Sequence, residues 1–191
     1  MRIVGGRLGG RRLPAVAPEG VRPTADRVRE AVSSALEARG ALRGARVLDL
    51  FAGTGALSFE ALSRGAGSAV LAEKNPKVRK ILAKNADALG LAPQMKIVAV
   101  DLLGDVANAA RALGVEGPFD LIFADPPYVN AHGAALLLDE LVDARLLAEG
   151  GLVVFEGPAS SPPPIMRRLA PVRVYRYGDT LVSLLEETRH P

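Results

Sequence analysis

From Arg46 onward the chain alternates between two hydrophobic periodicities. Short apolar runs near 46–50, 69–73, 96–100, 119–124 and 151–156 are dense in Val, Ile, Leu, Phe and Ala, and read as buried strands. Between them, stretches near 56–64, 76–89, 102–113 and 133–147 carry apolar residues three and four apart, the spacing of a helix with one buried face. Strand and helix in strict alternation predict an α/β fold: a parallel sheet with helices on both faces. Two more runs, Val172 to Tyr177 and Thr180 to Glu186, are separated only by Gly178-Asp179 and read as a hairpin, so one of them must lie antiparallel to its neighbours. Ahead of the alternation, Arg2 to Val4 and Arg11 to Val16 predict a short hairpin across the glycines at 5, 6, 9 and 10. Thr24 then reads as the N-cap of a helix whose Val28, Ala31, Val32, Ala35 and Leu36 form one stripe. Gly157 to Pro164, with four prolines, predicts an elongated loop after the fifth strand. At 191 residues the expectation is a single domain, with residues 1–43 as an extension packed on a 44–191 core.

The strand ends carry the candidate chemistry. Phe119 to Ala124 runs directly into Asp125-Pro126-Pro127-Tyr128. A strand meeting two prolines must stop, because proline has no amide donor and fixes its own φ. That stop leaves a carboxylate, a stiff carbonyl-bearing turn and an aromatic ring at the carboxyl end of a strand, where open α/β sheets bind ligands. Upstream, an apolar strand through Val47 and Leu48 ends at Asp49, and Leu50-Phe51-Ala52 leads into Gly53-Thr54-Gly55, followed by helix formers. The third glycine of a dinucleotide fingerprint would fall at Ser58, which disfavours a pyrophosphate site. The next strand ends in Glu73, placed to accept hydrogen bonds from both hydroxyls of a ribose, in NAD and S-adenosylmethionine alike. The third ends in Asp101, followed by Leu102, where a carboxylate can take an adenine amino group. Each acid alone has an ordinary alternative as a helix N-cap. Three at successive strand ends, beside Gly-x-Gly and Asp-Pro-Pro-Tyr, point to a nucleoside site.

These motifs resemble the Rossmann-like class I S-adenosylmethionine-dependent methyltransferases. Within that class the chain resembles the RsmD-type enzymes, which methylate guanine N2 in bacterial 16S ribosomal RNA. The resemblance rests on Leu48 to Leu57, Glu60 to Ala66 and Phe119 to Tyr128, and on Arg22-Pro23-Thr24 with Asp26 to Glu30 and Tyr177 to Thr180. It implies a seven-stranded, mostly parallel sheet with an antiparallel C-terminal hairpin, preceded by a basic hairpin and helix. It also implies S-adenosyl-L-methionine as methyl donor, with Asp49, Phe51, Gly53, Thr54, Gly55, Glu73, Asp101 and Leu102 around it. By the same resemblance Asp125 and the Pro126 carbonyl orient the target amine, Pro127 stiffens the turn, Tyr128 stacks on the base, and the target is guanine 966. The Gly157 to Pro164 loop departs from the family pattern, away from the motifs.

Composition narrows the alternatives. With no cysteine, disulfides, thiolate metal sites and cysteine nucleophiles are excluded. Only His132 and His190 are present, so histidine-based metal or triad chemistry is disfavoured and no metal is expected. No apolar run reaches membrane-spanning length and the start has no signal-peptide pattern, so a cytoplasmic protein that binds no membrane, and a monomer, is the expectation. The net charge is +3, and residues 1–43 hold nine arginines against four acids. Such a basic arm suits RNA backbone, with Arg7, Arg11, Arg12, Arg22 and Thr24 as the candidate substrate-binding set; the family resemblance implies 16S rRNA, in a small-subunit particle or assembly intermediate, as the partner. The competing functions are amino methylation of DNA adenine or of a protein glutamine, a non-catalytic RNA-binding protein, and an NAD-dependent dehydrogenase. A DNA enzyme lacks room here for a recognition domain, and the glutamine enzymes carry Asn where this chain has Asp125. The intact Asp125 to Tyr128 set opposes a dead binder; Ser58 and the lack of a placed histidine oppose the dehydrogenase.

Overall fold

The computed structural model describes residues 1–14 and 26–188. Arg22, the expected cap Thr24 and the end of the predicted hairpin at Ala15 and Val16 lie outside the described residues. Seven strands form one sheet: β1 (Arg46–Leu50), β2 (Ser68–Ala72), β3 (Met95–Val98), β4 (Phe119–Ala124), β5 (Leu147–Pro158), β6 (Leu169–Tyr177) and β7 (Thr180–Glu187), in the order β3-β2-β1-β4-β5-β7-β6. The first five are parallel, and β7 lies antiparallel to both β5 and β6. The helices are α1 (Asp26–Ala38), α2 (Ala56–Ser63), α3 (Pro76–Leu89), α4 (Val106–Gly114) and α5 (Ala131–Asp143).

The period of two along each strand divides the interior into two cores. Val47, Leu71, Leu121 and Val154 point to one, where they meet Leu36 of α1, Phe59 of α2 and Leu82 of α3. Leu48, Val70, Ile122 and Val153 point to the other, against Leu113 of α4 and Leu138 of α5. A Leu at such a fully buried position contributes roughly 2–5 kcal/mol relative to Ala.

Several boundaries differ from the sequence reading. β3 stops at Val98, not Val100, because Asp101 to Gly104 form a turn and Asp105 caps α4, accepting from Asn108 N–H at 3.0 Å. α5 ends at Asp143, and Leu147 already pairs with Phe119 as the start of β5. The interruption at Glu149-Gly150-Gly151 is absorbed as a register shift between the Phe119–Leu147 and Leu121–Leu152 pairs, with Gly150 at φ 72°. The predicted loop at Gly157 starts later: β5 runs on to Pro158, paired with Thr180. Beyond Phe155 the strand has left β4 behind, so a proline there needs only one ladder.

The amino-terminal hairpin is minimal. Arg2 and Arg12 form one antiparallel bridge, flanked by Ile3 N–H to Arg11 O and Leu13 N–H to Met1 O, and a 3-10 turn at Gly6–Leu8 closes it. It lies along α2. Buried Glu60 accepts from Val4 and Gly5 N–H, both at 2.8 Å, and Ser63 Oγ receives Leu8 N–H and donates to Gly5 O. The contact is close enough to require glycine. A Cβ on Gly6, which sits at φ 71°, would fall 2.1 Å from the Ser63 carbonyl. Glu60 also binds Arg64 Nε, whose Nη1 reaches Glu37 on α1, so one carboxylate ties hairpin, α2 and α1 together.

Candidate active site

The parallel register aligns the strand ends. Leu50 stands opposite both Ala72 and Ala124, Ala72 opposite Val98, and Ala124 opposite Phe155. The next residue on each chain therefore falls on one line: Glu73 after β2, Phe51 after β1, Asp125 after β4, and Glu156 along β5. Strand order reverses between β1 and β4, so the crevice that α/β folds use for ligands opens at this line. It is a cavity of about 670 Å³.

The cavity is lined by Asp49, Phe51, Gly53, Thr54, Glu73, Asp101, Leu102, Asp125, Pro126, Pro127 and Tyr128, nearly the whole sequence-derived core set. Gly55 is not among the lining residues. It is the N-cap of α2 at φ 86°, and a Cβ there would meet Leu82 Cδ1 at 2.4 Å, so its glycine is required by packing. Phe51 holds a left-handed backbone at φ 62°, costing on the order of 1–2 kcal/mol. Ala52 N–H to Ala72 O and Gly55 N–H to Ala52 O pin that turn.

Glu73 and Asp101 are not helix caps, since Asn75 caps α3 and Asp105 caps α4. Glu73 accepts from Asn75 N–H at 2.7 Å and Gly53 N–H at 3.2 Å, fixing the carboxylate against the glycine turn. A carboxylate has about four acceptor sites, so two remain for vicinal hydroxyls. Asp101 accepts from Leu103 N–H at 3.2 Å and faces Lys74 Nζ at 3.7 Å. Asp49 is the buried acid of the group. Burial above all, with the neighbouring charges of Asp125 and Glu73, pushes its carboxyl up to about 7, against the Ser58 hydroxyl that favours the ionised form. Ser58 Oγ donates to Asp49 Oδ2 at 2.7 Å.

At the β4 end, Asn130 N–H binds the Pro127 carbonyl at 2.7 Å, opening the 3-10 turn Tyr128–Asn130. Among the described residues no hydrogen bond reaches the Pro126 carbonyl. Asp125 is half-buried and Tyr128 is 38% exposed at the mouth. The arrangement offers a ligand one carboxylate with two acceptor positions left, a second carboxylate in the turn after the neighbouring strand, and across the switch point a carboxylate, a carbonyl and a ring that suit a flat amine-bearing molecule. Among the described residues no group of His, Cys, Asp and Glu is placed to hold a metal ion, and no helix is long and apolar enough to cross a membrane.

Sequence reasoning missed several residues here. Met1, Lys74, Asn75, Glu156 and Thr180 also line the cavity. Glu156 was legible in principle, as the acid on the fifth strand beside the line of strand ends. Thr180 was not, because only the antiparallel return of β7 beside β5 brings it in. Ser58 signalled only a missing glycine. The arm arginines separate. Arg12 and Arg2 lie by Met1 and Asp26, with Arg2 3.6 Å from Asp26, and Arg11 is exposed. Arg7 instead donates to Gln94 Oε1 at 2.7 Å, beside the amino ends of β2 and β3 and away from the cavity. Arg29 is buried, bonded to Arg2 O and Asp26, and holds the hairpin on α1.

Comparison with known proteins agrees with this geometry. A family model described as conserved hypothetical protein 95 matches residues 1–186. Ribosomal RNA small subunit methyltransferase D of Escherichia coli K12 is 38% identical over 157 residues, covering 82% of this chain and 71% of that protein. A solved structure of a hypothetical protein from Thermus thermophilus superposes with a TM-score of 0.78 at 32% identity, covering 96% of this chain and 98% of that one. A release factor glutamine methyltransferase of Chlorobaculum tepidum is 30% identical over 127 residues, which cover 64% of this chain but only 42% of that protein. A sheet with strand ends aligned on a nucleoside-sized cavity, matched from the first residue of the arm through β7, assigns the chain to this family, the RsmD-type class I S-adenosylmethionine-dependent methyltransferases.

Proposed function

We propose that this protein transfers a methyl group from S-adenosylmethionine to the exocyclic N2 amine of a guanine in 16S ribosomal RNA, guanine 966 by family resemblance. Membership of the RsmD family carries the coarser statement, an S-adenosylmethionine-dependent rRNA methyltransferase; the nucleotide and the residue roles are the proposal. The observation that supports it most is the register line that sets Asp125-Pro126-Pro127-Tyr128 across the switch point from Glu73, on one cavity.

S-adenosylmethionine supplies a methyl group on a positively charged sulfur that leaves as a neutral thioether. Glu73 takes the ribose hydroxyls, Asp101 and Leu102 the adenine, and Phe51, Gly53 and Thr54 the rest of the donor along the β1 turn. Gly55 supports that turn from behind. Guanine N2 is a poor nucleophile because its lone pair is delocalised into the ring. Asp125 Oδ and the Pro126 carbonyl accept its two N–H groups, which favours a pyramidal nitrogen and aims the lone pair at the methyl carbon. Tyr128 stacks on the purine. The extra proton leaves after transfer, so Asp125 works by orientation more than by basicity, and rate comes from positioning. The N2 amine of guanine is normally engaged in base pairing, so the target must be unstacked or lie in a loop. Arg11 and Arg12 on the exposed arm hold RNA backbone, Arg7 holds it farther along, and by family resemblance Arg22 and Thr24 complete the substrate-binding set. Residues 1–43 serve as the RNA-binding extension of a 44–191 catalytic core, acting as a monomer in the cytoplasm on a small-subunit particle or assembly intermediate.

The test is tritiated-methyl incorporation into 16S rRNA from a strain lacking this protein, mapped to the nucleotide. Asp125→Ala should abolish turnover while cofactor affinity stays within a few-fold, because its contacts form in the transition state. Glu73→Ala should weaken cofactor binding by about 1.5–3 kcal/mol in calorimetry. Near-normal single-turnover rates in Asp125→Ala would remove the orienting role, and unchanged affinity in Glu73→Ala would remove the ribose assignment.

A further inference from the structure

The three tyrosines of this chain are Tyr128, Tyr175 and Tyr177, and it has no tryptophan. Tyr128 belongs to the cavity; the other two stand on β6, the outermost strand of the sheet. The antiparallel register links them to the same mouth. Tyr177 is paired with Thr180, a cavity-lining residue, and Tyr175 with Val182 and Arg173 with Leu184 continue away from it. Residues two apart share a face of a strand, so Tyr177, Tyr175 and Arg173 form one row. The two rings are stacked with centroids 6.1 Å apart and planes 18° apart, and the Arg173 guanidinium sits 5.7 Å from the Tyr175 centroid.

We propose that this row is a stacking track for RNA: Tyr177 and Tyr175 take the bases of single-stranded nucleotides flanking the target guanine, and Arg173 takes their backbone. The inference rests on the RNA-methylating function above and extends it to a surface outside the cavity. Both rings are packed on the first core, which holds them in place, yet each stays partly exposed. Little ordering entropy is therefore lost when a base stacks on them. The row spans four residue steps from Arg173 to Tyr177, roughly 13 Å at about 3.3 Å per residue, enough for a few nucleotides. Its charge fits a polyanion. Arg173 in the row is exposed while Arg176 alternates to the other face; Glu186 on the neighbouring strand is met by Arg39 at 3.8 Å, and the opposing acids are Asp179 at the hairpin tip and Glu156, level with Val182 and Tyr175. An edge strand also needs protection against pairing with another chain, and Pro171 with the bulge before Arg173 supplies that. The stacked tyrosines are not needed for it.

The experiment uses the full chain and tyrosine fluorescence, which no tryptophan masks. In a Tyr128→Phe background the only tyrosine emitters are Tyr175 and Tyr177, and single-stranded oligoadenylate should quench them. Replacing both with Leu keeps the apolar contact with the core but removes the stacking face, and should weaken oligoadenylate binding by at least about thirtyfold, the lower end for two bases on aromatic rings. Replacing both with Phe should keep affinity within about twofold. Calorimetric cofactor binding, expected unchanged in both variants, reports an intact fold. Absence of quenching, or equal losses in the Leu and Phe variants, overturns the track. Wild-type methylation of 16S rRNA is measured alongside. If the rRNA is methylated and the tyrosines do not respond, the track alone falls; if the rRNA is not methylated, the function does.

Discussion

Asp49 should make this protein less stable as the pH rises, against the usual behaviour of carboxylates. It is 2% exposed, and burial with the charges of Asp125 and Glu73 moves it from 3.8 to about 7. Between those values the folded chain keeps a proton that the unfolded chain has released. Stability therefore falls with rising pH by up to about 1.4 kcal/mol per unit across that window. The contribution is fully present below about pH 4 and lost once pH passes about 7, a total on the order of 4 kcal/mol, a large part of a typical domain's stability. Asp49→Asn is neutral throughout, and its side-chain oxygen can still accept the Ser58 hydroxyl. Urea unfolding of both proteins between about pH 4.5 and 8.5 isolates the effect, because titrating groups not coupled to Asp49 cancel in the difference. The variant should gain on the wild type as pH rises, by about 2–4 kcal/mol in all. A difference constant to within about 0.5 kcal/mol would mean Asp49 is already ionised in the folded state. A cation in the same cavity favours the ionised form, so a sulfonium ligand offsets this cost when bound.

Two further outcomes follow from the arm. Glu60→Gln should cost about 3–5 kcal/mol in urea unfolding, because it leaves Arg64 without its buried partner and weakens the clamp on Val4 and Gly5. Those two amides should lose hydrogen-exchange protection; retained protection with a loss under about 1 kcal/mol would show that the hairpin is held elsewhere. Replacing Arg11 and Arg12 with Ala should weaken RNA binding and lower the slope of log affinity against log salt by up to about 1.4, at roughly 0.7 per single-strand phosphate. Arg7→Ala should do less, since its guanidinium lies away from the cavity on Gln94. Equal slopes in wild type and double variant would take those arginines off the phosphates.

The local signals in the sequence were sufficient for the elements and for some of the residues that end them. Apolar runs fixed five parallel strands, Gly178-Asp179 the closing hairpin, and Pro126-Pro127 the stop that puts Asp125 at a strand end, because each depends on neighbours within a few positions. Boundaries moved where long-range pairing outweighed local preference: Leu147 joined β5 because Phe119 was there to pair with, and Pro158 stayed in β5 because β7 was. The cavity itself was decided by register. Glu73, Phe51 and Asp125 are far apart along the chain, and only the Leu50–Ala72 and Leu50–Ala124 pairings place them on one line. The same holds for charge. Nine arginines read alike in sequence, yet the fold buries Arg29 as a strut, ties Arg7 to Gln94 and leaves Arg11 and Arg12 exposed. Composition counts charges, but burial and partners depend on contacts between distant segments, so only the tertiary structure sorted structural arginines from those left exposed, and only it gave Asp49 a burial deep enough to hold its proton near neutrality.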